Sequence, residues 1–127
     1  MDEKKFGFVD RTEEFEKEDI EKNKGMGILA YLWWLVLVTI FAAPQSKFAR
    51  FHANQGLVLA IIETAISIIA AIVSAALGWI PVLGWILSLI FWLADIAVFA
   101  LALYLIITTA QGKAKEAPFI GKFKILK

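Results

Sequence analysis

The chain has 127 residues, 60% of them apolar, with a mean hydropathy of +0.71 and a formal net charge of +1. Ordinary soluble domains are about 45–50% apolar, so the composition points to a membrane, and the balanced charge gives no general attraction to nucleic acid. There is no cysteine, which excludes disulfides, thiolate metal sites and a cysteine nucleophile.

Residues 1–24 hold 15 of the 25 charged side chains, with six Lys/Arg against nine Asp/Glu. This segment has too little apolar surface to fold alone and reads as an acidic tail, mobile or lying on a surface. It lacks the short basic start and small-residue cleavage site of a secretory signal. Residues 25–43, GMGILAYLWWLVLVTIFAA, carry no charge. A helix of about 20 residues crosses the ~30 Å hydrocarbon core, so this is the first expected span, ended by Pro44. Residues 44–55, PQSKFARFHANQ, read as a polar connection. Its Phe48 and Phe51 suit the headgroup zone, and Lys47 and Arg50 suit a lipid phosphate or a partner.

Residues 56–77 form the second expected span, with Glu63 as their only charge. The following GWIPVLGW, residues 78–85, contains turn formers and two tryptophans of the kind found at membrane interfaces. Residues 86–110 form the third span, with Asp95 near the middle, and the two spans should make an antiparallel hairpin. Residues 111–127 form a basic tail of five lysines and Glu116, suited to an anionic membrane surface. The fold expected is an all-α integral membrane bundle of three transmembrane helices with polar ends. Three crossings put the termini on opposite sides. The 44–55 and C-terminal side then carries seven Lys/Arg and the other side six, which orients the C-terminus towards the cytoplasm.

Carboxyls at mid-membrane are costly, about 2.5–3.5 kcal/mol each even on an insertion scale. Counted from the turn, Glu63 and Asp95 differ in depth by only about 4–5 Å, so the hairpin brings them near each other. Such a pair could share a proton or hold a cation, or serve only to join helices. His52, Gln55 and Glu63 fall on one helical stripe that continues through Ser67. With Asn54 and Asp95 they make up the candidate functional polar stripe. His52 is the only histidine and Glu63 lies three turns away, about 16 Å, so no metal site is expected. No phosphate loop, zinc motif or nucleophile elbow is present, so neither an enzyme nor a cofactor is expected.

Four segments together carry a resemblance: LAYLWWL (Leu29–Leu35), KFARFHANQGL (Lys47–Leu57), IPVLGWI (Ile80–Ile86) and PFIGKF (Pro118–Phe123). Over residues 25–123 the chain resembles the Tic-twenty-like family, the bacterial relatives of a chloroplast inner-envelope import component, which also takes in magnetosome membrane proteins of the MamF and MmsF type. The resemblance implies a small multi-spanning bundle without catalytic activity. It also implies a part in passing or assembling proteins at a membrane, here the bacterial inner membrane. The plastid members have four spans where three are counted here. The expected function is a scaffold or accessory component in membrane protein translocation, insertion or organisation. Its partners would be lipids and either further copies of itself or other membrane proteins. The alternatives are an oligomeric conduit for protons, ions or small solutes built on Glu63 and Asp95, and a bacteriocin-immunity or membrane-stress protein.

Overall fold

The structure, a computed structural model, describes residues 7–118 and 120. Among them are four α-helices and one short strand pair: β1 (Val9–Asp10), α1 (Lys17–Leu29), α2 (Val36–Ala42), α3 (Lys47–Leu77), α4 (Pro81–Ala110) and β2 (Lys115–Glu116), with single 3-10 turns at Thr12–Glu14 and Trp33–Leu35.

The two long helices, α3 with 31 residues and α4 with 30, are long and apolar enough to cross a membrane. At 1.5 Å per residue they run about 45 Å each. Local chemistry sets their ends. Ser46 caps α3, its hydroxyl oxygen accepting from the Ala49 N–H at 3.0 Å. Pro81 opens α4 at the first helical position, where a missing N–H costs nothing. The expected connection 78–85 is therefore mostly helix, and only Gly78–Ile80 forms the turn. At the far end of α4, Gly112 adopts φ +79. Its N–H then reaches the Thr109 carbonyl at 2.9 Å, and the next N–H reaches that of Thr108 at 3.0 Å, a double closure that the left-handed glycine permits.

The expected first span is not one helix. Its residues are split between the end of α1, a turn at residues 30–32, a 3-10 turn and α2. Two contacts show that α1 and α2 fold back on each other: the Thr39 hydroxyl donates to the Met26 carbonyl at 2.7 Å, and Ser46 Oγ donates to Asp19 Oδ1 at 2.6 Å. Both are symmetric about residues 32–33, so the segment is a helical hairpin. The turn is sharp because Trp33 takes φ 56, a left-handed conformation uncommon for a bulky residue. Two contacts at the tip favour the hairpin over a straight run. Tyr31 points into a buried polar network, and the Trp34 indole donates to Thr64 Oγ1 at 3.0 Å.

The expected acidic tail is also folded from residue 7. Ile20 is buried, and Asp19 caps the start of α3 from the side: Oδ1 accepts from Ser46 and Oδ2 from the Phe48 N–H at 2.9 Å. β1 pairs antiparallel with β2 in the register Val9↔Glu116 and Asp10↔Lys115. Ion pairs Lys115–Asp10 (3.3 Å) and Arg11–Glu116 (2.8 Å) flank it. Residues 9–10 and 115–116 therefore lie side by side, and the expectation that the segments before and after the long helices stand at opposite ends is corrected. The cause is the helical hairpin, which enters and leaves at one end of the α3–α4 pair.

Burial follows this plan. Phe48, Ala49, His52, Ala53, Leu59 and Leu105 are buried where α1, α2 and the strands cover the long helices. Beyond the hairpin tip, large apolar side chains such as Ile72, Val82, Ile90 and Leu93 are bare.

Candidate functional site

The histidine sits in the covered half. His52 is fully buried, edge-on to Phe48, Phe51 and Tyr31 with ring centroids at 4.6, 5.1 and 5.4 Å. Its polar neighbours fix its tautomer. The Ala117 N–H donates to Gln55 Oε1, which commits that atom as the amide oxygen. Gln55 Nε2 then donates to the Lys115 carbonyl at 2.9 Å and to Tyr31 Oη at 2.8 Å. The single Tyr31 proton is left for His52 Nδ1 at 2.6 Å. So Nδ1 is the acceptor, and the ring proton is on Nε2, which is buried without a hydrogen-bond partner among the described residues. Thr109 Oγ1 stands 3.3 Å from Nδ1 and gives its proton to the Leu105 carbonyl at 2.6 Å.

This network is a clasp. Gln55 pairs with the carbonyl of residue 115 and the N–H of residue 117 as a neighbouring strand would, and so ties the segment after α4 to α3. Asn54, also buried, donates to the Arg50 carbonyl at 3.2 Å. Arg50 Nη1 reaches the Pro44 carbonyl at 3.5 Å, and Lys47 is exposed. The connection expected at 44–55 is thus largely the first turns of α3.

The expected polar stripe is divided. His52 and Gln55 turn inwards to Tyr31, Ser67 is exposed further along α3, and Glu63 faces a separate groove. That groove, about 510 Å³, lies at the tip of the α1–α2 hairpin against α3 and α4. Tyr31, Leu32 and Trp33 line it from the tip, Leu59, Ala60 and Glu63 from α3, and Asp95, Val98, Phe99 and Ala102 from α4. Glu63 and Asp95 line the same groove from neighbouring helices. Each sits near the middle of its helix, about 20 Å or more from either end. Among the described residues no lysine or arginine lines the groove.

Sequence reasoning brings Glu63 and Asp95 together but misses Tyr31, Trp33 and Phe99 as groove residues and Asp19 as the α3 cap. One signal for Tyr31 was present: a hydroxyl in an otherwise apolar run needs a buried partner. Asp19 takes no such signal from its neighbours, because its partners lie 27 and 29 residues away. No family model, curated protein or solved structure matches the chain.

Proposed function

We propose that this chain is a small integral membrane protein that assists or organises other membrane proteins without catalysing a reaction. The groove at the hairpin tip is its working site. The membrane reading is supported by how little of the long helices is covered: 22% of the apolar window of α3 and 6% of that of α4, whereas the core helix of a soluble protein is mostly buried. The resemblance to Tic-twenty-like proteins supports the same class.

One observation carries the functional reading. Two carboxyls line one apolar groove at mid-membrane depth, with no lysine or arginine lining it among the described residues. Ionisable groups at that depth pair with something or mark a pathway. The groove therefore receives a positively charged group from outside the chain. To test this, a photo-crosslinking phenylalanine analogue is placed at Leu32, and separately at Val82 on the bare face, and irradiated in native membranes. The expected result is a defined adduct at residue 32, lost on Glu63→Gln with Asp95→Asn, and absent at residue 82. Adducts indifferent to the two acids would refute the reading.

A second reading, a proton conduit, is favoured by the two carboxyls lining one groove at mid-membrane depth, where ionisable groups mark proton paths. Proton flux in liposomes that vanishes in Glu63→Gln would support it; wild-type liposomes no leakier than empty ones would exclude it.

A further inference from the structure

Resting on the groove as the working site, we propose its occupant: a membrane helix of a different protein that carries a lysine or arginine near its middle.

Charge narrows the choice first. Two carboxyls, Glu63 and Asp95, line one largely apolar groove, and no lysine or arginine lines it among the described residues. An ammonium or guanidinium group is the complement such carboxyls pair with at that depth. A second copy of this chain does not supply it: between residues 51 and 112 the only charged residues are Glu63 and Asp95. A second copy at this face would add acids to acids. Nor does a metal ion fit. No group of three or more metal-ligating side chains exists among the described residues. A hard cation wants six to eight oxygens, and these walls are apolar.

Depth narrows it next. The headgroup of a bilayer lipid stays at the surface, whereas Glu63 and Asp95 lie about 20 Å from the helix ends. A basic side chain at mid-span of a helix reaches that level.

Size agrees. With side chains a helix is about 10–12 Å wide and rises 5.4 Å per turn, so one turn fills about 400–600 Å³. The groove is about 510 Å³, which seats one turn. The aromatic rings lining it, Tyr31, Trp33 and Phe99, suit a cation flanked by apolar surface. The bare faces of α3 and α4 beyond the tip give the rest of the partner helix something to lie against.

The test uses the full chain in phosphatidylcholine vesicles with fluorescent 23-residue leucine–alanine peptides that have lysine, glutamine or leucine at the centre. Energy transfer to the protein should show the lysine peptide associating at least tenfold more tightly than the other two. Glu63→Gln with Asp95→Asn should remove that preference and leave the weak association of the leucine peptide unchanged. The comparison among peptides on the wild-type chain needs no variant to fold. Equal association of all three peptides, or a lysine preference that survives the double change, would overturn the proposal. So would saturable binding of hexyltrimethylammonium with no lysine-peptide association; the groove would then be a small-molecule cation site, and the broader reading of the groove would stand. If neither cation binds and the residue-32 adducts ignore the acids, both readings fall.

Discussion

Single side chains decide how the ends of the chain are held. Asp19 is partly buried, which raises its pKa, but hydrogen bonds from Ser46, the Phe48 N–H, Asn23 and the Lys47 N–H outweigh that and hold it below its ordinary value of 3.8. A carboxyl with a depressed folded pKa adds stability above its unfolded pKa and loses it as pH falls through the folded one. Asp19→Asn should therefore be less stable than wild type at neutral pH, and the gap should close below about pH 4. Unfolding in dodecyl maltoside, followed by circular dichroism across pH, measures this; a gap that does not narrow as pH falls below about 4 contradicts it. Gln55→Leu leaves the Lys115 carbonyl and the Ala117 N–H without their side-chain partner in a buried place, and each orphaned group costs about 1–3 kcal/mol. Hydrogen exchange at Ala117 should speed up while the middle of α4 keeps its protection. The sequence singled out His52 and Gln55 by type and stripe. Their purpose was not legible there, because Tyr31 and residues 115–117 reach them only after the chain has folded back twice.

At the level of elements, the hairpin α1–α2 depends on one close crossing. A Cβ on Gly56 would stand 1.8 Å from the Ala30 carbonyl oxygen, where no atom fits, so α1 ends against bare α3 backbone. Gly56→Ala should push the hairpin off α3 and disrupt the groove, whereas Gly25→Ala, with open space around its Cβ, should be neutral or stabilise by up to about 1 kcal/mol from helix propensity. Comparing the two in thermal unfolding, with the Trp34–Thr64 contact followed by indole fluorescence, separates a packing effect from a glycine effect. Equal behaviour of the two variants would contradict the crossing. The long helices were legible because their apolar runs carry one charge each and their ends carry proline, glycine and serine. The hairpin was not. Its 19 uncharged residues satisfy the length rule for a span, and nothing in them announces that Trp33 takes a left-handed turn. The juxtaposition of Glu63 and Asp95 was legible because it follows from counting outward from a tight turn.

For the whole molecule, the strand pair is the deciding contact, because paired ends require an even number of crossings. On three crossings the basic residues divide seven to six, a thin basis for orientation. With β1 against β2, all eight described Lys/Arg (Arg11, Lys17, Lys22, Lys24, Lys47, Arg50, Lys113 and Lys115) lie at the end of the α3–α4 pair that holds the strands, and the Gly78–Ile80 turn has none. Basic residues near membrane ends stay in the cytoplasm, so on the membrane reading both described ends face the cytoplasm and the turn faces outward. The chain has no cysteine, so single cysteines placed at Arg11, Gln45, Trp79 and Gln111, all exposed, report the side directly. In intact spheroplasts a membrane-impermeant maleimide should label residue 79 alone, and lysis should open residues 11, 45 and 111 together. Labelling of residue 11 with residue 79, or of residue 11 apart from residue 111, would break the even crossing count. It would also place Glu63 and Asp95 in a differently threaded bundle. Co-labelling of 11, 45 and 111 requires the α1–α2 segment to enter and leave at one face, because a hairpin returning to that face keeps residue 45 on the side of residue 11 while a straight span moves it across.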